Sequence, residues 1–257
     1  MNPFRLLSLV FLGLLVPACL AQSQTHLVFE PAANANGKHV VLISGDEEYR
    51  TEESCPMLGK LLSQRFGFKA TVLFAINPDG DYIDPNYQKN IPGLEALASA
   101  DLMIIGTRFR NLTEEQLQPM ADYLNAGKPV IGFRTATHAF RSKAQSGSLS
   151  WSQFGQSILG EGWVNHHGRH KSEGCRAQIE EANAGNAVLK GVKDIFCKTD
   201  VYGVKKVTPE NATILLRGIV TDSLKPNSKP VAEKNSPPHP LAWLRTYKTP
   251  DLSLIHI

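Results

Sequence analysis

Residues 39–45, His-Val-Val-Leu-Ile-Ser-Gly, form a short apolar run ending on glycine, and residues 101–107, Asp-Leu-Met-Ile-Ile-Gly-Thr, repeat the pattern. Apolar runs of this length without alternation mark strands buried on both faces, as happens when helices cover a parallel sheet. Between them, residues 54–66 place Met57, Leu58, Leu61, Leu62 and Phe66 at helical spacing, and Gly67 closes the segment. Residues 69–76, with Val72, Leu73 and Phe74, read as another strand. The Pro-, Gly- and Asp-bearing stretch at 77–90 is a turn-rich excursion. Thr113 and Gln116 make a capping-box pattern at the head of a second helix, which ends at Ala126-Gly127. Residues 129–134, Pro-Val-Ile-Gly-Phe-Arg, follow as a fourth strand. This alternation predicts an α/β domain on a mainly parallel sheet, with right-handed crossovers.

After Arg134 the rhythm changes. Residues 151–159 predict a short helix stopped by Gly160, and 175–181, 200–207, 212–222 and 241–248 predict further strands. Residues 223–240 carry prolines and lysines and read as an exposed loop. No linker divides the halves, so one domain over 38–251 is expected.

The chain ends carry separate signals. Arg5 precedes a mostly apolar run at 6–16, and Ala18-Cys-Leu-Ala21 supplies small residues for cleavage, so residues 1–21 read as a secretory signal peptide. The run is shorter than the ~20 apolar residues a membrane span needs. An exported protein, periplasmic or extracellular and without a membrane span, is therefore expected; acylation at Cys19 as a lipoprotein is the alternative. Residues 22–37 are polar and rich in Ala and Asn, and read as a flexible tether. Residues 252–257, Leu-Ser-Leu-Ile-His-Ile, match the in-frame translation of a transposase sequencing adapter. They are expected to be an artefact, with the natural chain running past Asp251 to at least one more strand.

Composition narrows the partners. A hydrophobic fraction of 42% and a charged fraction of 20% are ordinary for a globular protein. A net charge of +3 without a dense Lys/Arg cluster gives no footprint for nucleic acid or a membrane surface. Cys55, Cys175 and Cys197 would remain after signal removal, an odd number that leaves one free or pairs it with another chain. Cys175 with Cys197 is the pairing entertained, and no cysteine has zinc-site spacing. No cofactor is assigned.

In an open parallel sheet, ligands bind outside the carboxyl ends of the strands. The first strand exits into Asp46-Glu47-Glu48-Tyr49-Arg50, the third into Arg108-Phe109-Arg110, and the fourth into Arg134-Thr135-Ala136-Thr137-His138. Acids, arginines and a histidine on one rim suit a polar, hydroxyl-rich or anionic ligand. Arg108 and Arg134 each follow a buried strand directly, where a charge needs a ligand or an internal partner such as Asp46 or Glu47. A second cluster, Trp163-Val-Asn-His166-His167-Gly-Arg-His170, either lines the pocket or holds a metal with an acid from 46–48. Trp151 and Trp163 either stack on a sugar ring or pack in the core.

Residues 41–50 (Val-Leu-Ile-Ser-Gly-Asp-Glu-Glu-Tyr-Arg), 100–106 (Ala-Asp-Leu-Met-Ile-Ile-Gly) and 132–140 (Gly-Phe-Arg-Thr-Ala-Thr-His-Ala-Phe) together resemble the ThuA-like, or trehalose-utilisation, family. The resemblance runs from about Lys38 to Lys248. It implies a class I glutamine amidotransferase-like, flavodoxin-like three-layer sandwich, truncated here at its C-terminus, and a role in bacterial carbohydrate utilisation. The amidotransferase relatives carry Gly-x-Cys-x-Gly at the fourth strand, a tight turn that presents a thiolate. Here Gly132-Phe-Arg-Thr-Ala136 puts Arg134 in the nucleophile's place, and a guanidinium stays protonated.

The expectation is a protein that binds or converts a sugar or oxidised sugar without a cysteine nucleophile. His138, His166, His167 and Glu47 are its acid/base candidates. Asp46, Glu48, Tyr49, Arg50, Arg108, Arg134 and Thr135 are its binding candidates. A non-catalytic carbohydrate-binding domain and a metal-dependent hydrolase built on His166, His167 and His170 are the alternatives, so catalysis itself stays open.

Overall fold

The computed structural model describes residues 25–251 apart from 33 and 81, together with the backbone of 254–255. The signal peptide expected at 1–21 lies outside the described residues, as do 252, 253, 256 and 257 of the expected adapter tail.

The apolar runs become the inner strands of a five-stranded sheet. Its members are β1 (His26–Phe29), β2 (His39–Gly45), β3 (Lys69–Leu73), β4 (Leu102–Thr107) and β5 (Val130–Gly132), in the order β1-β3-β2-β4-β5. The last four run parallel, and β1 lies antiparallel on the β3 edge. Every residue of β2 is buried, as its unbroken apolar run requires. Side chains alternate between two cores. Val40 and Leu42 meet Cys55, Leu58 and Leu62 of helix α1 (Thr51–Phe66) on one face. Val41 and Ile43 share the opposite core with Leu117, Met120 and Leu124 of α2 (Glu114–Asn125).

Local chemistry sets the helix ends. Gly67 ends α1 at φ 71, and a Cβ there would come within 2.0 Å of the Asn34 carbonyl oxygen, so only glycine fits. Thr113 caps α2 by accepting from the Gln116 N–H at 3.4 Å. The Gln116 side chain donates instead to Asn90 Oδ1 at 2.9 Å, leaving the capping box half made.

Several expectations are corrected. Part of the expected tether is β1, whose four residues pair with Ala70–Leu73 and add Phe29 to the α1 core. The second half does not extend the parallel sheet. It builds a four-stranded antiparallel sheet from β6 (Gly174–Ile179), β7 (Ile195–Cys197), β8 (Thr213–Thr221) and β9 (His239–Leu244), in the order β7-β6-β8-β9. Residues 200–207 form no strand; apart from one bridge between Tyr202 and His166 they run as a loop that buries Asp200. Residues 151–159 form a 3-10 turn and a π turn rather than a regular helix. Trp151 is fully buried, edge-on to Phe140 at 5.2 Å, so its role is packing. The exposed loop expected at 223–240 holds a short turn (Ala232–Lys234), and β9 starts at His239. Tyr247–Lys248 pairs with Leu254–Ile255. Among the described residues, no helix is long and apolar enough to cross a membrane.

Candidate functional site

β2 has β3 on one side and β4 on the other. At such a reversal of strand order the connections leave in opposite directions and open a crevice at the strands' carboxyl ends. Glu47, just beyond β2, pairs across it with Arg108 through one carboxylate oxygen and with Arg110 through the other, at 2.9 Å. Arg110 is fully buried and also donates to the carbonyls of Arg108 (2.7 Å), Pro85 (2.9 Å) and Tyr87 (3.1 Å). Burial pulls its pKa down and Glu47 opposes the fall. A charge taken out of water this far survives because each donor finds an acceptor. Glu48 lies 3.2 Å from Arg108 Nε and 3.2 Å from His170 Nε2, linking this pair to the second cluster.

Asp46 and Thr135 form the floor. Asp46 Oδ1 accepts from the backbone N–H of Glu48 (2.9 Å) and Tyr49 (3.2 Å), and Oδ2 accepts from the Thr135 hydroxyl. Both residues are buried, and their polar atoms tie the β2 exit loop to the turn after β5. Ligand binding is expected of both, and the hydrogen bonds seen here give them a part in holding the rim together. Arg50 pairs with Glu53 along α1 and stands apart from the cluster.

Arg134 leaves β5 at φ 48. It donates to the Asp200 carbonyl at 2.7 Å, to the Tyr49 hydroxyl at 2.6 Å and to Asp200 Oδ1 at 3.1 Å. Its guanidinium stacks 3.6 Å from the Tyr202 ring centroid. The internal partner of Arg134 is therefore Asp200, and that of Arg108 is the Glu47–Glu48 pair. His166 Nδ1 donates to Asp200 Oδ2 at 2.7 Å, and His170 Nδ1 to Oδ1 at 3.1 Å. Burial pushes the Asp200 carboxyl up, but these hydrogen bonds and Arg134 outweigh it and hold the group below its ordinary range.

His138 ends the turn that Arg134 begins. Its ring lies 4.8 Å from Phe109, 6.0 Å from Trp163 and 6.1 Å from Tyr202, with Nδ1 3.1 Å from Thr137 Oγ1. Burial first, then the charges of Arg108 and Arg134, lower its pKa to about 4, so the imidazole is neutral at neutral pH. Trp163, 47% exposed, forms the outer lip and meets both His138 and His166 edge-on.

His167 does not join its neighbour. It hydrogen-bonds to the Lys234 carbonyl at 2.7 Å, and its ring lies tilted against His239 with centroids 4.1 Å apart. Strands place successive side chains on opposite sides, and His166 is the residue bridged to Tyr202. The residues that could hold a metal are therefore His166, His170 and Asp200, whose ligand atoms lie within 4.8 Å of one another. The acid expected from 46–48 is replaced by Asp200. That residue and Tyr202 were the members missed from sequence; Asp200 lies 30 residues beyond His170, and no local pattern ties the two.

Backbone strain marks the same place. The non-glycine residues with positive φ among the described residues are Arg50, Phe109, Arg134 and Lys171. The first three stand at the exits of β2, β4 and β5, and Lys171 follows His170. Left-handed backbone costs about 1–2 kcal/mol per residue and gathers where surrounding structure enforces it, commonly at functional sites. In comparisons with known proteins, the chain matches no protein-family model and no curated protein.

Proposed function

We propose that this chain is an exported ThuA-like protein of bacterial carbohydrate utilisation that binds a sugar or oxidised sugar at the carboxyl rim of its parallel sheet and converts it by proton transfer through His138. One observation carries the reading: a neutral imidazole is ringed by Phe109, Trp163 and Tyr202 and flanked by the charges of Arg108 and Arg134. Aromatic faces suit the C–H faces of a sugar, while guanidinium and carboxylate groups suit its hydroxyl and carbonyl oxygens. A neutral imidazole both accepts a proton and donates a hydrogen bond to a carbonyl, the chemistry an oxidised sugar needs. Glu47 is held by two arginines, whereas Glu48 meets one arginine and His170 and His166 meets Asp200, so Glu48 and His166 are the further acid/base candidates at the opening. Arg134 replaces the thiolate, which rules cysteine-nucleophile chemistry out of the proposal. The parallel order β3-β2-β4-β5, helices on both faces and a left-handed residue after β5 support the flavodoxin-like, amidotransferase-like assignment.

The test is titration calorimetry and product analysis against a panel of neutral and oxidised mono- and disaccharides. His138→Ala is expected to retain binding within about threefold and to lose conversion by about 10²–10⁴-fold. Unaltered turnover in that variant removes His138 from the mechanism. Binding without conversion in the wild-type protein instead favours a carbohydrate-binding domain.

The His166, His170 and Asp200 trio supports a second reading, a metal-dependent hydrolase. Two imidazoles and a carboxylate suit zinc, manganese or iron. Zn, Mn or Fe that co-purifies with wild-type protein and is lost from His170→Ala supports it, and metal-free wild-type protein retires it.

A further inference from the structure

Cys175 on β6 and Cys197 on β7 are exact partners in the antiparallel register, and both are free thiols. Directly opposed residues on antiparallel strands have Cα atoms about 4.5–5.5 Å apart. A disulfide spans Cα separations of about 4.4–6.8 Å. Opposed residues also point to the same face of a sheet, and here the neighbours agree. Cys175, Val201 and Val220 form one buried cluster with Cys197 packed against it, and Val220 is the partner of Cys175 on its other side. A Cβ built on Gly218 would lie 3.3 Å from Cys175 Sγ and 2.9 Å from Val201, which places the thiol beneath the residue next to Asp200.

The two thiols differ in access. Cys175 is 1% exposed, whereas Cys197 is only partly buried. Both line a cavity of about 550 Å3 that runs between β5 and the antiparallel sheet and reaches Arg134 and Asp200.

We propose that Cys175 and Cys197 form a reversible cross-strand disulfide that staples β7 to β6 beneath the Arg134–Asp200 pair. A small-molecule disulfide is the oxidant. The Cys197 thiolate attacks one sulfur of cystine, releasing one cysteine and leaving a mixed disulfide on Cys197. The Cys175 thiolate then attacks Cys197 Sγ and expels the second cysteine. The protein gives up two electrons, cystine takes them up, and the protons of the two protein thiols end on the two released cysteines. Burial pushes the Cys175 thiol up to about 12 and raises the Cys197 thiol as well, so the more accessible Cys197 reacts first and the attack by Cys175 is the slow step.

Intact mass and peptide mapping of the full chain test this after equilibration with cystine, acid quench and alkylation in denaturant. The expected product is about 2 Da lighter than the dithiol form, with residues 175 and 197 in one cross-linked peptide that dithiothreitol separates. Cys55→Ser should keep the bridge, while Cys175→Ser should carry a cysteine adduct on Cys197 and no bridge. Recovery of wild-type Cys175 and Cys197 as alkylated thiols overturns the proposal, and so does their recovery only as separate cysteine adducts.

Discussion

The two sheets differ in how they are buried. β2 is covered along its whole length, and all but the first residue of β4 is buried. In the antiparallel sheet every residue of β9 is only partly buried, and β8 alternates in patches. Two clusters of aliphatic and aromatic side chains sandwich the parallel sheet, against a third cluster centred on Cys175, Val201 and Val220. The rim is built across this boundary. Glu47, Arg108, Arg134 and His138 stand on the well-packed half, and His166, His170 and Asp200 stand on the half with the thinner core. The ligand proposed for the rim would touch one well-packed wall and one with a thinner core, the arrangement expected where binding orders a site.

The same substitution in each sheet measures that difference. Leu42→Ala removes a fully buried side chain from β2 and should cost about 3–5 kcal/mol. Leu241→Ala acts on a partly buried side chain of β9 and should cost about 1 kcal/mol. Urea denaturation of both variants decides the matter. Equal losses would mean that the antiparallel sheet is as tightly held as the parallel one.

Charge substitution probes the two walls at smaller amplitude. Glu47→Gln leaves Arg110 fully buried with carbonyl acceptors but no carboxylate, and should cost about 2–4 kcal/mol. Asp200→Asn keeps the shape but strips charge from the acceptor of Arg134, His166 and His170. Because Arg134 keeps the Asp200 carbonyl and the Tyr49 hydroxyl, the expected loss is about 1–2 kcal/mol. Thermal melts of the two variants check the order. A greater loss from Asp200→Asn would shift the centre of stability at the rim to the antiparallel side.

The sequence legibility of the two halves follows the same divide. The unbroken runs of β2 and β4 state that both faces are covered, and this alone implies helices on either side and a rim at the strand ends. Glu47, Glu48, Arg108 and Arg134 follow from that rule because each stands within three residues of a strand end, and His138 follows because it ends the turn after β5. β1 was hidden because four residues in an Ala- and Asn-rich segment give too short a pattern to separate from a tether. Asp200 was hidden because its partner Arg134 is 66 residues away, and no local periodicity encodes such a contact. Its segment, Thr-Asp-Val-Tyr-Gly, alternates like a strand although it runs as a loop. His166 and His167 are indistinguishable by composition, and only the bridge to Tyr202 decides which of them faces Asp200.

The smallest effect concerns His138, which the well-packed half keeps neutral. Its folded pKa of about 4 lies below the unfolded value of ~6.5. Above pH ~6.5 both folded and unfolded chains hold a neutral ring, and the group has no influence on the pH dependence. Between ~6.5 and about 4 only the unfolded chain takes the proton, so acidification favours unfolding by at most about 1.4 kcal/mol per pH unit. Below about 4 the folded protein is protonated as well and the loss levels off. His138→Gln removes this component, so its denaturation free energy should fall less steeply than wild type between pH 6.5 and 5. Parallel slopes for the two proteins would show that the fold does not depress the His138 pKa, and the depressed imidazole proposed for the rim would be withdrawn.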